Sequence, residues 1–320
     1  MIDVARPPPT KRVGVVIVNY NSAGELSRCL GSLAEEPDLV TVVVDNSPSP
    51  FEAKEVVEQY RGVTLLDAGG NVGFGKGCNC GLEWLLLNTG VDYFFLLNPD
   101  TVLGPGSIEV MLSEMESDSS IGMVVPLITF LDSPDVIWYA GGDVSWLRAS
   151  ARVPLYGRSS SLPEACAARD VTFASGCAMF MRRNVYQTIG GFDRRYFMYE
   201  EDVEYSLRIV EAGFRIRYCP DARVLHRTQG TQRAEGMAVI DMYDIRNPRL
   251  PFYMYHVTRG RLLTVGRHGT SLQHMPAVAV FLAWWLMRCL KYLIRGRADA
   301  FRAAVSGALS VWRAGRQTVS

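Results

Sequence analysis

The feature that most constrains the fold is Val13–Asn19, VGVVIVN, a short β-branched run with no polar side chain before its final Asn. Such a run is a strand buried on both faces, and it requires helices above and below its sheet. A second apolar run, Val40–Val44, and further strands at Val63–Leu66 and Tyr93–Leu97 follow. After the first run Ser22 stands as a helix cap, and Leu26, Leu30 and Leu33 recur at helical spacing to about Ala34. Strands alternating with helices predict an α/β protein, a doubly wound layer with a mainly parallel sheet. Ligands of such sheets gather at the C-terminal strand ends. Polar clusters fall there: Asn19-Tyr20-Asn21, Asp45-Asn46-Ser47 and Asn98-Pro99-Asp100.

Past Gly104 the alternation loosens. A strand is expected over Gly122–Phe130, a loop or small hairpin over residues 131–170, a strand over Val171–Phe180 and a short helix near Asn184–Ile189. Gly190-Gly191-Phe192-Asp193 reads as a turn. Glu201–Ala212 reads as an amphipathic helix with Val203, Leu207 and Val210 inward, stopped by Gly213. Phe214–Tyr218 and Arg223–His226 read as short strands.

A 320-residue chain that is 48% hydrophobic can bury one large core, or a catalytic domain with an appendage. The formal net charge of zero argues against a nucleic-acid binder, but the charge is divided. From Arg246 onward twelve Arg or Lys face one acid, Asp299, while residues 1–245 hold 21 basic and 32 acidic residues. The expected organisation is a catalytic body at 1–245 and a basic, apolar helical region at 246–320. The seven cysteines lack paired C-x-x-C spacing, Cys78 and Cys80 forming only C-x-C, so no zinc site is expected. The N-terminal segment has no apolar core of a signal peptide, which points to a reducing cytoplasm.

Several residues carry chemistry. Pro99 stops a strand ladder and places Asp100 in the crevice at the sheet's end. A carboxylate there suits Mg²⁺ or Mn²⁺ bridging two phosphates; the plain alternative is a turn. Gly70–Gly77, GNVGFGKG, nearly spells a phosphate-binding P-loop, but Gly77 stands where a Ser or Thr must bind the metal, and the dinucleotide G-x-G-x-x-G spacing is absent. A P-loop NTPase and a dinucleotide dehydrogenase are thereby disfavoured. What remains is a flexible loop that lets backbone approach a ligand, with Asn71 and Lys76 as polar contacts. Asp45 can accept the imide N–H of uracil or thymine. Glu200-Glu201-Asp202 opens a helix, where the dipole favours acids by roughly 0.3–1 kcal/mol each. Their mutual repulsion and the aromatic run Tyr196–Tyr199 also raise a carboxyl pKa toward the range of a general base. His226 ends a short strand about twenty residues later and can fold back onto the same site.

With these residues in place, the sequence resembles the family 2 glycosyltransferases of the GT-A fold, in particular the bacterial rhamnosyltransferase-like branch. The matching text is VVIVNYN (15–21), VVVDNS (42–47), GNVGFGKGCNCGL (70–82), LLNPDTVL (96–103), ASGCAMFMRR (174–183), GGFDRRYFMYEEDVEYSLR (190–208) and PDARVLH (220–226). The resemblance implies a nucleotide-diphospho-sugar transferase with a Rossmann-like mixed sheet and a C-terminal helical extension. It implies that Asn98-Pro99-Asp100 replaces the family's D-x-D, with Asp100 on the metal, and that Asp45 and Asn19-Tyr20-Asn21 hold a pyrimidine nucleotide. It implies Asp202 as base, second of the Glu201-Asp202 pair, and His226 on the metal or diphosphate. Two departures stand out: Asn98 replaces the first Asp of the D-x-D, and Cys78 replaces an Asn, leaving Asn79 as the surviving amide of the donor site. The implied reaction is inverting transfer from dTDP-rhamnose, or otherwise a UDP-hexose. A nucleotidyltransferase and an inactive scaffold are the remaining readings.

In the basic region, Pro276–Met287 is uncharged but shorter than the about 20 residues a bilayer span needs. Trp284 and Trp285 beside Arg288, Lys291 and Arg295 predict a helix lying in the headgroup plane, hence a peripheral protein at the inner membrane face working on a polyprenyl-diphosphate-linked or glycan acceptor.

Overall fold

A computed structural model describes residues 12–317 apart from 35, 37, 50, 147–149, 229–240 and 270–274. Its first half follows the predicted alternation: β1 (Val13–Asn19), α1 (Ala23–Leu33), β2 (Leu39–Asp45), α2 (Phe51–Val57), β3 (Val63–Asp67), α3 (Phe74–Asn88) and β4 (Tyr93–Leu97). There follow β5 (Thr101–Leu103), α4 (Ser107–Ser117), β6 (Ile121–Phe130), β7 (Ser133–Tyr139), β8 (Asp143–Ser145), β9 (Ser150–Arg152), β10 (Arg169–Val171) and β11 (Ala178–Arg182). The body closes with α5 (Arg183–Ile189), α6 (Glu201–Glu211) and β12 (Arg215–His226), before three long helices: α7 (Leu250–His268), α8 (Met275–Ile294) and α9 (Ala298–Gln317).

One sheet runs in the order β10-β12-β6-β11-β4-β1-β2-β3, with β5 on β12 and β7 on β6. The strands β3, β2, β1 and β4 are parallel, as the apolar runs predict, whereas β11 is antiparallel to both neighbours. The sheet is therefore mixed. Burial on both faces is complete at Val15, Ile17, Phe94, Phe95 and Leu96, which are fully shielded from solvent.

Three expectations need correction. The predicted strand over Val171–Phe180 is broken: β10 ends at Val171 on the outer edge of β12, and only at Ala178 does the chain re-enter the sheet, as β11 beside β4. Val210 is 38% exposed, whereas Val203 and Leu207 are buried together with Tyr205, Ser206 and Ile209; α6 turns inward a broader and partly polar face than its sequence suggests. The glycine-rich stretch is helical from Phe74 rather than a loop. A Cβ at Gly77 or Gly81 would lie 2.7 Å or 2.4 Å from the side chains of Val18 and Val16. These two glycines, one turn apart, let α3 lie directly on β1, which offsets the about 1 kcal/mol that each costs in a helix.

The C-terminal helices rest on the body. Glu204 of α6 is fully buried and paired with Arg208 at 2.8 Å, Arg267 at 2.9 Å and His268 at 3.5 Å, the last two from α7. Tyr196 and Thr264 share a hydrogen bond of 2.8 Å. On α8, Cys289 and Tyr292 pack with Leu250 and Met254 of α7 and with Ala300 and Ala304 of α9. Trp284 and Trp285 turn inward as well. The Arg261 guanidinium stacks on Trp284 at 5.0 Å, and Trp285 Nε1 donates to Thr258 Oγ1 at 3.3 Å. What α8 leaves exposed is a stripe of Leu282, Leu286, Met287, Leu290, Leu293 and Ile294. Among the described residues no helix is long and apolar enough to cross a membrane.

Candidate active site

The parallel register brings the strand-end residues side by side. Asn19 lies opposite Asp45 across the β1–β2 pairing. Asn19 Nδ2 donates to Asp45 Oδ1 at 2.9 Å, and Ser47 adds its backbone N–H at 3.2 Å and its hydroxyl at 2.7 Å. The other oxygen, Oδ2, is buried with no hydrogen-bond partner among the described residues. A buried carboxylate oxygen without a donor is costly, so this atom is suited to a ligand N–H. Ser22 stands at the N-cap of α1 but does not cap it: its hydroxyl donates to Asn19 Oδ1 at 3.0 Å, fixing the amide that holds Asp45. Asn21, at φ 47°, donates its backbone N–H to Ser47 Oγ at 2.9 Å, and Tyr20 is half-buried beside it.

At the end of β4, Asn98 takes its place by donating its N–H to the Cys177 carbonyl at 2.9 Å, while its own carbonyl accepts from Thr101 Oγ1 at 2.6 Å. The short β5 then pairs with β12, His226 falling opposite Thr101. This pairing sets His226 Nε2 3.2 Å from Asp100 Oδ1, both side chains largely buried. The Trp138 ring meets the imidazole edge-on at 4.5 Å, and Arg227 N–H donates to the Asp100 carbonyl at 2.8 Å. Burial opposes a charge on His226, but the Cys177 sulfur and the Asp100 carboxylate outweigh it and hold its pKa well above the ordinary value. His226 Nδ1 is buried without a partner among the described residues.

These two donors fit a divalent cation. A carboxylate and an imidazole share one pocket, and a Mg²⁺-type ion that bridges substrate phosphates needs only one or two protein ligands. Among the described residues no group of three or more His, Cys, Asp or Glu side chains could form a self-sufficient metal cage.

The acidic helix start lies across the crevice. Asp202 Oδ2 accepts the Gly176 N–H at 3.2 Å and Oδ1 accepts the Val203 N–H at 2.9 Å. The break between β10 and β11 is therefore a working element: residues 175–177 hold Asp202 and Asn98 from opposite sides. Burial drives the Asp202 carboxyl up to about 6 against the pull of the Gly176 N–H, with the Glu200 charge adding to the rise. Glu201 is 5% exposed, lies under Gly75 of α3, and is pushed well above its usual range by burial and by Asp202. Tyr199 and Glu200, which lead into the pair, are both left-handed at φ 69°. Each such non-glycine conformation costs roughly 1–3 kcal/mol and persists only where its surroundings enforce it.

The glycine-rich segment contributes less polar surface than its composition suggests. Asn71 and Lys76 are exposed, and Asn71 Oδ1 accepts the Gly73 N–H at 3.1 Å. Asn79 spends both amide atoms on Phe192, accepting its N–H and donating to its carbonyl at 2.8 Å each. It latches the GGFD turn to α3. Ser47, Gly176 and Cys177 belong to the conspicuous sequence blocks, but their contacts have no local signature; Trp138 carries no sequence signal at all.

This mixed sheet with its C-terminal helices is the GT-A glycosyltransferase fold. Two solved structures share it: GalNAc-T7 with UDP, GalNAc and Mn²⁺ (TM-score 0.58, 16% identity, covering 82% of this chain and 49% of that one), and the mannosyltransferase PcManGT from Pyrobaculum calidifontis with GDP-Man and Mn²⁺ (TM-score 0.54, 15% identity, 97% and 78%). Residues 8–242 match the family described as Glycosyltransferase like family 2, and the chain belongs to that family. It is 32% identical over 235 residues to an N-acetylglucosaminyl-diphospho-decaprenol L-rhamnosyltransferase of Mycobacterium tuberculosis, covering 66% of this chain and 75% of the relative. It is also similar to the rhamnosyltransferase WbbL of Escherichia coli (23% identity, 69% and 86%) and to a low-salt glycan biosynthesis hexosyltransferase of Haloferax volcanii (24% identity, 73% of each).

Proposed function

We propose that this glycosyltransferase inverts configuration as it moves a hexose, L-rhamnose from dTDP-rhamnose, onto a polyprenyl-diphosphate-linked or glycan acceptor in cell-surface polysaccharide synthesis. The observation that carries the mechanism is the half-buried Asp202 carboxylate at the start of α6, held by the Gly176 N–H, while the next residue, Cys177, takes the N–H of Asn98 at the end of β4. The donor follows the rhamnosyltransferases among the relatives, and the acceptor follows the diphospho-decaprenol in the name of the mycobacterial one.

In this reading Asp45 Oδ2 accepts the thymine imide N–H, with Asn19 and Ser47 holding the carboxylate in place. Tyr20 and Asn21 line the base, and Asn71, Lys76 and Asn98 face the rest of the donor. Asp100 and His226 would hold Mg²⁺ or Mn²⁺, and the chemistry such an ion would supply is neutralisation of the leaving diphosphate's charge. Asp202 takes the proton of the acceptor hydroxyl while that oxygen forms its bond to the anomeric carbon, and the bond from that carbon to the diphosphate breaks on the opposite face. Base assistance of this kind contributes about 10²–10⁴-fold. Glu201, buried under α3 with its carboxyl pushed well above the usual range by burial and by Asp202, serves as packing beside the base.

The exposed apolar stripe of α8, on a region with twelve basic residues and one acid, supports peripheral attachment to an anionic leaflet. A lipid-linked acceptor sits at such a surface.

The test is release of nucleoside diphosphate from a panel of nucleotide sugars, with polyprenyl-diphosphate-linked N-acetylglucosamine present, in Mn²⁺, Mg²⁺ or EDTA. Metal-dependent release of dTDP from dTDP-rhamnose is expected. Turnover of a UDP-hexose instead would favour the second reading, for which the hexosyltransferase relative speaks. No release from any donor would contradict the assignment.

A further inference from the structure

The family match ends at residue 242, yet the turn that presents Asp202 is braced from beyond it. Arg261, on α7, donates from Nε to Glu200 Oε1 at 2.8 Å; the two side chains are 12% and 9% exposed. Behind it the guanidinium lies on the Trp284 ring of α8. The adjacent Gly260 is pressed against the same turn: a Cβ there would lie 2.8 Å from the Tyr199 carbonyl oxygen and 2.9 Å from Glu200 Cβ. Tyr199 also packs its ring 5.5 Å from Tyr253. Two consecutive left-handed residues are thus clamped by one helix, immediately before Glu201 and Asp202.

We propose that Arg261 is a positioning residue of the transfer reaction: through its buried pair with Glu200 it fixes the Tyr199–Glu200 turn, and with it the aim of Asp202. This rests on Asp202 being the base. It gives the C-terminal region a second task besides attachment, because the brace is seated on the helix that carries the exposed apolar stripe. Misplacing a catalytic group by about 1 Å costs on the order of 10²-fold in rate. The charge matters too. Asp202 is faced by Glu200 and Glu201 on its own helix, by Tyr139 of β7 and by the Gly176 N–H; Arg261 is faced by Glu200, Tyr243 and, over the same Trp284 ring, Arg288. Without Arg261 the Glu200 charge stands uncompensated beside the base; without Glu200 the Arg261 charge does.

The experiment uses the full chain with Arg261→Met, Arg261→Lys and Glu200→Gln. It reads dTDP release from dTDP-rhamnose against pH and, independently of any substrate, the carboxyl titration of Asp202 by ¹³C NMR with the signal assigned from Asp202→Asn. Arg261→Met is expected to lower kcat about tenfold or more with donor KM within about twofold, and to move the Asp202 titration to higher pH. Arg261→Lys should recover most of the rate, and Glu200→Gln, which keeps a hydrogen bond to Arg261, should move the titration to lower pH. Unchanged kcat and titration in Arg261→Met would overturn the proposal, as would an unmoved titration in Glu200→Gln should Arg261→Met not fold. Wild-type turnover by Asp202→Asn would instead remove the base assignment itself, which distinguishes the two failures.

Discussion

Asn19 and Asp45 face each other across the β1–β2 register, and the amide of one holds a single oxygen of the other at 2.9 Å. The second oxygen is left buried and without a donor. Hydrogen bonds to charged groups are worth roughly 1.5–3 kcal/mol. Asp45→Asn is therefore expected to weaken dTDP binding by about 10–100-fold in calorimetry with little change in melting temperature. An unchanged Kd would place the base elsewhere.

His226 and Asp100 are brought together by the β5–β12 pairing. Asp100→Ala and His226→Ala should each abolish the part of dTDP affinity that depends on Mn²⁺, measured by titration with and without EDTA. Metal-dependent binding that survives in both variants would show that the ion is held by other groups.

Asn79 is a structural latch in this structure rather than an open donor contact. Asn79→Ala leaves the Phe192 N–H and carbonyl unpaired in a buried place, each costing roughly 1–3 kcal/mol. A clear fall in urea midpoint is expected, with dTDP affinity kept under native conditions. Loss of dTDP affinity at undiminished stability would return Asn79 to the donor site.

The stripe on α8 predicts lipid attachment. Leu286→Asp together with Leu290→Asp should abolish co-sedimentation with vesicles containing anionic lipid, since both side chains are more than half exposed. Vesicle binding equal to wild type would assign that stripe to something other than a membrane.

The apolar runs made β1, β2 and β4 legible because strands covered by helices on both faces carry few polar side chains, and their polar ends marked the site; β3, at the sheet edge, is only half-buried. The break at residues 175–177 was not legible: its purpose is a contact between Gly176 and Asp202, distant in sequence, with no periodicity to announce it. Trp284, Trp285 and Arg288 read as membrane anchors by composition, yet cation–π and hydrogen-bond partners on α7 and at Tyr243 turn them inward. Arg261 had no pattern at all, because a brace is defined by what it touches. Gly77, inside the stretch read as a ligand-binding loop, instead serves close packing of α3 on β1, because small residues suit close approach to backbone and to ligand alike.

The role of Asp202 as base is read from the pH dependence of dTDP release from dTDP-rhamnose by the wild type beside Asp202→Asn, with dTDP affinity measured for both. A base works deprotonated, so wild-type kcat should fall as the pH drops through about 6, where burial has placed the Asp202 carboxyl. Asp202→Asn should lose about 10²-fold or more in kcat with nearly unchanged dTDP affinity. Near wild-type turnover in the variant, with the same acid limb, would contradict the account.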